Sequence, residues 1–396
     1  MPEEFIRIYL KPGKDQSLKR FHPWVFSGAI QRMEGKPSEG DLVSVYSGNN
    51  EFLGIGHYQI GTITIRMVSF TEKTPGTGFW KEKVERAWRC RQQIGIGKHQ
   101  HTNVFRLIHG EGDNLPGLVV DYYNGTAVIQ MHSVGMYHIR HNIVKALHEV
   151  LGNQLKAVYD KSEKTLPFKA AIQPADEWIS GTPDTDIVTE NGLKFKVDWE
   201  TGQKTGFFID QRENRLLVQS LSGGRDVLNM FCYTGGFSVY ALNGGAAMVH
   251  SVDSSAKAVE LTNENVELNF PGEKRHEAFI ADGMEFLKNI HDKYDLIILD
   301  PPAFAKHRQS LPQALQAYKR INTRAFEQIR PGGLVFTFSC SQVVSKERFR
   351  ESVFTAAAIS GRSVRILHQL SQPGDHPVNI YHPEGEYLKG LVLFVE

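Results

Sequence analysis

The pattern of hydrophobic and polar positions changes twice along the chain, and its first region consists of short apolar runs. DLVSVYS (41–47), EFLGIGHYQ (51–59) and TITIRMVSF (62–70) are separated by turns that contain Gly, Asn and Ser. Runs of this length and spacing are typical of the strands of a small barrel. We therefore expect an all-β barrel at the N-terminus, followed by a linker, TEKTPGTG, at 71–78.

The middle region, from 104 to about 188, mixes two periodicities. LPGLVVDYY and TAVIQMHSV have the apolar content of strands. In MYHIRHNIVKALHEVLG the apolar residues recur at every fourth position, as on one face of a helix, at Ile139, Ile143, Leu147 and Leu151. The pattern predicts a small α/β region.

The last two hundred residues alternate strand-like with helix-like runs. The helical runs include SSAKAVELTNENVELN (254–269) and LPQALQAYKRINTRAFEQIR (311–330), the second with one apolar face. The strand-like runs are DVLNMF (226–231), AMVHSVD (247–253), EAFIAD (277–282), YDLIILD (294–300), GLVFTFSC (333–340), SVRILHQL (363–370) and GLVLFVE (390–396). Regular alternation predicts a doubly wound α/β sheet that binds its ligand at the carboxyl ends of the strands.

The length and composition agree with a folded protein of several domains. A chain of 396 residues with 41% hydrophobic and 22% charged residues is too long for one ordinary core and too apolar to be disordered. The changes of pattern predict domains at 1–73, 74–188 and 189–396. MPEEFIRIYL lacks the features of a signal peptide, and no apolar run approaches 18 residues, so the sequence predicts a cytosolic protein that does not cross a membrane.

A net charge of +1 neither demands nor excludes a polyanionic partner, because nucleic-acid binding depends on local clusters of charge. One such cluster lies within 79–101, where Trp80 and Trp88 are interleaved with basic residues. The basic residues are Lys81, Lys83, Arg86, Arg89, Arg91 and Lys98. A phosphate-contacting helix and an ordinary solvated face both remain open, and Trp88 is also a candidate core residue.

The predicted strand ends carry groups suited to a nucleoside. Gly235 and Gly236 follow the run DVLNMF, and the next three runs end in Asp253, Asp282 and Asp300. A strand-end acid can accept hydrogen bonds from both ribose hydroxyls, although Asp is also a common helix cap. TGGFSVYA lacks the G-x-G-x-x-G that a dinucleotide pyrophosphate requires. S-adenosylmethionine, which has a ribose and an adenine but no phosphate, fits this set.

The segments DPPAF (300–304) and FTFSCSQ (336–342) add candidate chemistry at the same end. The two prolines hold Asp300 rigidly at the end of an apolar strand. Cys340 lies between two serines, and core packing and nucleophilic catalysis both remain open for it. The three cysteines have neither disulfide nor zinc spacing and are judged one by one. Cys232, within the loop that carries the two glycines, is interpreted as a packing residue and Cys90 as incidental.

Five segments together resemble the bacterial ribosomal RNA large-subunit methyltransferase I family, and the resemblance covers essentially the whole chain. They are HPWVFSGAI (22–30), GQKTGFFIDQRENR (202–215), VLNMFCYTGGFS, DPPAF and FSCS. The resemblance implies a PUA-like barrel, a small central α/β domain and a Rossmann-like class I methyltransferase domain that forms 5-methylcytosine. It also implies 23S ribosomal RNA or a large-subunit precursor as the substrate, and it leaves open whether the protein is a homodimer.

The resemblance also assigns individual residues. Cys340 would be the nucleophile and Asp300 would face the base, while Lys19, Arg20 and Arg66 of the barrel are candidate RNA contacts. Related RNA cytosine-5 methyltransferases have a second cysteine where this chain has Ala303, so the group that removes the carbon 5 proton stays open between water and Asp300. S-adenosyl-L-methionine would contact Phe207, Asp210, Gln211, Arg212, Asn229, Gly235, Gly236, Asp253 and Asp282.

Three other functions compete with this interpretation. A methyltransferase that acts on guanine or another RNA base without a cysteine nucleophile is one, since amine-directed enzymes also use a Pro-Pro motif, but here Ala303 separates Pro302 from the aromatic Phe304. A non-catalytic RNA-binding assembly factor would not need Asp253, Asp300 or Cys340. A dehydrogenase is disfavoured by the missing phosphate fingerprint.

Overall fold

The computed structural model describes residues 5–72, 75–97, 101–167 and 172–396. Lys98 and part of the expected linker at 71–78 lie outside these residues. The chain forms two compact units, each discontinuous in sequence. Unit 1 comprises Met1–Val188, Val197–Ile209 and Gly374–Gly385, and unit 2 comprises Thr189–Lys196, Asp210–Pro373 and Glu386–Glu396.

The described residues form β-strands and α-helices in both units. The strands are β1 (Ile6–Leu10), β2 (Trp24–Phe26), β3 (Ile30–Met33), β4 (Leu42–Tyr46), β5 (Phe52–Tyr58), β6 (Ile63–Ser69), β7 (Val104–His109), β8 (Leu118–Tyr123), β9 (Thr126–Met131), β10 (Ala157–Asp160), β11 (Glu177–Ser180), β12 (Ile187–Glu190), β13 (Leu193–Lys196), β14 (Asp226–Met230), β15 (Met248–Asp253), β16 (His276–Ile280), β17 (Leu296–Leu299), β18 (Gly333–Ser339), β19 (Val364–Leu370) and β20 (Lys389–Val395). The α-helices are α1 (Gln16–Lys19), α2 (Thr77–Gln93), α3 (Val134–His138), α4 (Arg140–Leu151), α5 (Arg212–Leu221), α6 (Gly236–Asn243), α7 (Ala256–Asn269), α8 (Gly283–Phe286), α9 (Leu311–Gln328) and α10 (Lys346–Ser360).

The N-terminal part of unit 1 is a six-stranded sheet in the order β2-β6-β5-β4-β1-β3. Its pairs are antiparallel except β1 and β4, which run parallel. Alternate residues of its strands point inward and form a core of their own, which includes Ile8, Val43, Val45 and Ile65. The expected N-terminal β-structure is therefore present.

The rest of unit 1 is built on a five-stranded sheet in the order β11-β10-β9-β8-β7, with α2 and α4 packed in its core. Trp80 and Trp88 of α2 are both buried, and the ring of Trp88 stacks on that of Phe105 with centroids 5.5 Å apart. Both tryptophans of the basic cluster are thus core residues. The sheets of the first 188 residues belong to one unit, and the boundary near residue 73 stays a prediction.

Two basic residues of the same cluster make hydrogen bonds or ion pairs within unit 1. Arg91 is completely buried, pairs with both carboxylate oxygens of Asp113, and donates to the Asp375 carbonyl at 2.8 Å. Lys83 donates to the Asn114 carbonyl at 3.0 Å, and burial lowers the pKa of Lys83 to about 8. These contacts show that charge on α2 also stabilises the fold, so a basic run alone does not identify a phosphate-binding face.

Unit 2 is a seven-stranded sheet in the order β16-β15-β14-β17-β18-β20-β19. Strands β14 to β18 run parallel, whereas β20 is antiparallel to both of its neighbours. The predicted doubly wound α/β sheet is confirmed. The chain progresses in opposite directions on the two sides of the boundary between β14 and β17, and this is the switch point at which such sheets bind ligands. Among the described residues, no helix has both the length and the apolar content to cross a membrane.

Candidate active site

The register of unit 2 brings the predicted strand-end residues to one edge of the sheet. Met230 of β14 pairs with Val252 of β15 and with Leu299 of β17, and Leu299 pairs with Thr337 of β18. The residues that follow these positions therefore emerge at the same carboxyl edge. They are the loop after β14, Asp253, Asp300 and Cys340.

The loop between β14 and α6 has an unusual backbone. Phe231, Tyr233 and Gly235 all have positive φ, at 60°, 47° and 74°. Non-glycine residues in this conformation store strain of about 1–3 kcal/mol each and occur often at ligand sites. At Gly235 a side chain is also excluded sterically, because a Cβ there would lie 2.6 Å from Cγ2 of Thr262. Glycine is required here so that the loop can lie directly on α7.

Side chains of β15 and α7 hold this loop in place. Asp253 accepts from the backbone N–H of Tyr233 at 3.0 Å and from that of Ser255 at 2.9 Å, one bond to each carboxylate oxygen. On the other side, Thr262 Oγ1 donates to the Tyr233 carbonyl at 2.9 Å and Asn265 Nδ2 to the Thr234 carbonyl at 2.8 Å. Because these contacts fix loop carbonyls against α7, the loop is a preformed edge beside Asp253.

The donor set suits a cofactor with a ribose and no phosphate. Each carboxylate oxygen has two lone pairs, so Asp253, which is half-buried, can keep both backbone bonds and still accept from two ribose hydroxyls. No lysine or arginine occurs in the loop from Phe231 to Gly236, where a phosphate would need a cation or a glycine-rich cradle. The residues present therefore fit S-adenosylmethionine.

We expect Asp253→Ala to weaken S-adenosylmethionine binding by about 10- to 100-fold, because it removes the expected ribose acceptor and releases the Tyr233 amide. Isothermal titration calorimetry of the purified protein measures this. Glu277→Ala, which removes an exposed acid from the neighbouring strand β16, is the matched control and should leave the affinity unchanged. Unchanged affinity of Asp253→Ala would exclude Asp253 from the cofactor site.

Asn229 and Asp282 occupy different positions from Asp253. Asn229 is completely buried within β14 and donates to Ser238 Oγ of α6 at 2.8 Å, so it ties the strand to the helix after the loop. Asp282 is exposed, and its Oδ1 caps α8 by accepting from the Glu285 N–H at 3.0 Å. A contact of either residue with the cofactor stays a prediction.

The segment GQKTGFFIDQRENR begins in unit 1 and continues into unit 2. Phe207 is buried in unit 1. Within unit 2, Asp210 Oδ2 accepts from the Tyr387 hydroxyl at 2.7 Å, and Arg212 is buried beside Glu213 at 3.4 Å. Gln211 Nε2 donates to Asp300 Oδ2 at 3.0 Å, so this segment orients the carboxylate that follows β17.

A buried ion pair supports α6, which begins at the glycines. Arg215 of α5 makes two 2.8 Å hydrogen bonds to the carboxylate of Glu190, and the Tyr240 hydroxyl donates to Glu190 Oε1 at 2.9 Å. Burial alone would lower the pKa of Arg215, but the Glu190 carboxylate outweighs it and the net shift is upward. A Cβ on Gly236 would lie 3.1 Å from the Arg215 side chain, so the ion pair packs directly against the first residue of α6.

The two serines around Cys340 fix the turn that presents the cysteine. Ser339 Oγ accepts from the Ser341 N–H at 3.4 Å, which closes a turn around Cys340. Ser341 Oγ donates to the Ala305 carbonyl at 2.5 Å, which joins this turn to the loop that begins with Asp300. Cys340 itself is only partly buried. The two serines of the Ser-Cys-Ser pattern therefore have structural roles. They fix the turn that carries Cys340 and connect it to the loop that begins with Asp300.

The other cysteines have different surroundings. Cys232 is buried against Thr262, with 3.6 Å between Sγ and Oγ1, and burial raises the pKa of Cys232 to about 12. Its thiol is therefore protonated at neutral pH, as suits a packing residue. Cys90 lies exposed on α2 in unit 1.

Comparison with known proteins assigns both parts of the chain. Residues 105–383 match the family model of S-adenosylmethionine-dependent methyltransferases, and residues 8–70 match the PUA-like domain. The ribosomal RNA large subunit methyltransferase I of Alteromonas mediterranea is 38% identical over 98% of both chains. That of Pseudoalteromonas atlantica is also 38% identical, over 98% of this chain and 99% of its own. The chain belongs to the ribosomal RNA large subunit methyltransferase I family.

Solved structures show the same fold. A Streptococcus mutans protein described as a SAM-dependent methyltransferase has a TM-score of 0.84 and 23% identity, and it covers 98% of this chain and 100% of its own. A methyltransferase complexed with SAH has a TM-score of 0.86 at the same identity and coverage. The resemblance read from the five sequence segments, the PUA-like domain and the cofactor class are thus confirmed for this methyltransferase I family member.

The three candidate RNA contacts of the PUA-like domain differ in their surroundings. Lys19 pairs with Asp15 at 3.0 Å and with Glu51 at 2.6 Å. Arg66 is half-buried and donates to Gln59 Oε1 at 3.2 Å, while Arg20 is exposed. Lys19 and Arg66 thus have partners within the domain, and RNA contact by all three stays a prediction.

One further cluster in unit 1 of the methyltransferase has the composition of a metal site. Within the described residues, ligand atoms of His22, His382 and Glu384 all lie within 4.8 Å of one another. However, His22 Nδ1 accepts from the Trp24 N–H at 3.2 Å, so neutral His22 carries its proton on Nε2, the atom that faces Glu384 at 3.5 Å. Glu384 Oε2 lies 3.5 Å from His22 Nε2 and 3.8 Å from His382 Nε2, so the carboxylate is close to both rings without a hydrogen bond to either.

Sequence reasoning gave no role to several residues that shape this site. Thr262 and Asn265 are completely buried polar residues of α7, Glu190 and Arg215 form the buried pair, and Lys389 of β20 lies beside the cysteine turn. A signal exists for the first two, because they are spaced i and i+3 on the face of α7 where apolar residues are expected. The partner of Arg215 is 25 residues away in sequence, and no periodicity indicates it.

Proposed function

We propose that this methyltransferase acts on carbon 5 of a cytosine in 23S ribosomal RNA or a large-subunit precursor, through a covalent adduct with Cys340. The observation that carries the proposal is the junction of the cysteine turn with the Asp300 loop, made by Ser341 Oγ and the Ala305 carbonyl at 2.5 Å. It joins the loops that carry Cys340 and Asp300, which follow the adjacent strands β18 and β17 at the ligand-binding edge. The names of the relatives, ribosomal RNA large subunit methyltransferase I, support the class of substrate.

The chemistry of cytosine requires a group like Cys340. Carbon 5 is a weak nucleophile, so the thiolate first adds to carbon 6 and makes carbon 5 electron-rich. Bound S-adenosylmethionine supplies the methyl group that carbon 5 then takes. Loss of the carbon 5 proton restores the double bond between carbons 5 and 6 and expels the cysteine as thiolate, so the enzyme is regenerated.

In this proposal Asp300 stabilises the adduct. Its Oδ2 accepts from Gln211 Nε2 at 3.0 Å, and Gln211 Oε1 accepts from Asn214 at 2.6 Å, so a buried amide fixes the orientation of the carboxylate. A fixed carboxylate can accept from the exocyclic amine and from a protonated N3 of the base, and it favours the charge that develops on the ring.

The arrangement disfavours an amine-directed reaction. In that mechanism an aromatic residue after the prolines closes over the base, but the Phe304 ring packs on Tyr318 of the core with centroids 4.8 Å apart. Carbon 6 of a stacked cytosine is out of reach, so the substrate nucleotide must be unpaired or turned out of its helix.

The deciding experiment identifies the modified nucleoside. The purified protein is incubated with labelled S-adenosylmethionine and ribosomal RNA that lacks modifications, and the RNA is digested to nucleosides. We expect the label in 5-methylcytidine. Label in guanosine or adenosine would replace the proposal by an amine- or ring-nitrogen-directed reaction, and binding of RNA without label would favour an assembly factor.

For Asp300→Asn we expect a loss of methyl transfer of about 100-fold with unchanged S-adenosylmethionine affinity. The amide keeps the shape of the side chain but removes the charge that stabilises the protonated ring. Initial rates under saturating cofactor measure this, and calorimetry checks the affinity. Asp292→Asn, on an exposed residue of the same unit, is the control. A rate within twofold of wild type would exclude an electrostatic role of Asp300.

A further inference from the structure

Lys389 is a buried lysine beside the cysteine turn, and the mechanism above gives it no role. It is 4% exposed on β20, where it pairs across the sheet with Ser339. Its Nζ donates to the Ser341 carbonyl at 2.6 Å. The side chain therefore starts opposite the residue before Cys340 and ends on the residue after it.

The charges around Lys389 link it to Cys340. Burial lowers the pKa of Lys389 to about 8, while attraction to Cys340 and Glu386 opposes this shift and repulsion from Lys346 adds to it. Glu386 also contacts Lys346, so its charge is shared. Electrostatic attraction is reciprocal, so the ammonium favours the thiolate of Cys340 as much as the thiolate favours the ammonium.

Two other titratable groups of this region, on α9 and on the loop after β17, are not cations. Tyr318 of α9 faces both Cys340 and Asp300, and burial raises the pKa of its phenol, which is neutral at physiological pH. Asp300 is on the loop after β17, and its negative charge would oppose a second anion nearby. A positive charge close to Cys340 would favour its thiolate over its thiol.

We propose that Lys389 is a positioning residue that holds Cys340 as a thiolate, both for attack on the base and for departure from it. The inference rests on the proposed role of Cys340 as nucleophile. When the thiolate forms, the S–H bond breaks and the proton passes to solvent, while the ammonium keeps its own protons. The negative charge is lost when sulfur bonds to carbon 6, and it returns opposite the same cation when that bond breaks.

The test measures the reactivity of Cys340 against pH, without RNA or cofactor. Wild type and K389M are alkylated with iodoacetamide between pH 5.5 and 9.5, and the rate at each cysteine is read by mass spectrometry of peptides. Thiolates are favoured beside lysine, so K389M should shift the midpoint of the Cys340 profile upward by about one pH unit or more, a tenfold loss of rate at neutral pH. The exposed Cys90 is the internal standard, with an unchanged profile.

Two further variants separate charge from packing. K389R keeps the cation and should retain a profile close to wild type, and K274M, which removes an exposed lysine elsewhere in unit 2, should also leave it unchanged. If the Cys340 profile does not move in K389M and only the melting temperature falls, the proposal is wrong. Lys389 would then have only a structural role as the hydrogen-bond donor to the Ser341 carbonyl. If K389M does not fold, K389Q takes its place, and equal profiles for K389Q and K389R would overturn the proposal.

The failure of this inference can be told apart from the failure of the proposed function. A shifted profile in K389M together with full methylation by Cys340→Ala would support the interaction between Lys389 and Cys340 but would show that Cys340 is not the nucleophile. An unshifted profile with inactive Cys340→Ala would retain the nucleophile and remove the role of Lys389.

Discussion

Cys340→Ala is expected to lose methyl transfer by at least about 10³-fold while it binds S-adenosylmethionine as tightly as wild type. The large effect follows because, in the proposed mechanism, Cys340 forms the covalent bond at carbon 6, and removal of an enzymatic nucleophile has effects of this order or larger. Cys340 lies in a turn held by backbone and serine contacts, so loss of its thiol should leave the turn intact. Single-turnover rates and calorimetry on the same preparation measure the two quantities.

A trapping experiment makes this prediction specific to the covalent adduct. RNA that contains 5-fluorocytidine has no proton on carbon 5, so the final elimination is blocked after methyl transfer and the protein stays bonded to the RNA. Wild type should give a denaturation-resistant complex and Cys340→Ala none, whereas Cys90→Ala, which changes the exposed cysteine of α2, should still give it. A stable complex with Cys340→Ala would show that another residue is the nucleophile.

The fold of unit 2 could be predicted from the sequence because its signals are local. Parallel strands that are buried on both faces appear as continuous apolar runs, and β17 and β18 follow YDLIILD and GLVFTFSC to within two residues. Strand ends in such a sheet share one edge, so the positions of Asp253, Asp300 and Cys340 followed from the alternation alone. Their grouping required no knowledge of side-chain contacts.

The supports of the site could not be predicted in the same way. Lys389 lies 49 residues after Cys340, and only the antiparallel pairing of β20 with β18 brings it beside Ser339. That pairing reverses the direction expected of a purely parallel sheet. The sequence of β20 shows one lysine at the start of an apolar run, which is also the pattern of an exposed strand end.

Local charge was likewise insufficient to identify an RNA surface. The basic run on α2 suggested a phosphate contact, but Arg91 is enclosed by Asp113 and by the Arg106 and Asp375 carbonyls. The sequence does not show whether an arginine of a basic run is exposed or belongs to a buried ion pair. The two kinds of cation are distinguished only by where their partners lie. One partner of Arg91, the Asp375 carbonyl, belongs to the distant segment Gly374–Gly385 of unit 1.

Glu190→Ala is expected to destabilise unit 2 by about 3–5 kcal/mol, because it leaves the buried cation of Arg215 without its partner. Both side chains are almost completely inaccessible, with Glu190 at 0% and Arg215 at 2% exposure. Since Arg215 lies under Gly236, movement of the unpaired guanidinium should also weaken cofactor binding at the preceding loop. Hydrogen exchange of the amides of β14 and α6 measures the local free energy of opening without assuming that the two units unfold together.

Two other variants test whether the loss of stability comes from the unpaired buried charge. Glu264→Gln removes an exposed ion pair with Lys196 in the same unit and should change the exchange of these amides by less than about 0.5 kcal/mol. The double variant Glu190→Leu with Arg215→Met replaces both charges by apolar groups and should recover most of the loss, because the penalty arises from an unpaired buried charge. If the double variant is as unstable as Glu190→Ala, the hydrogen bonds to Glu190, including that from Tyr240, stabilise α6 and the charge balance does not.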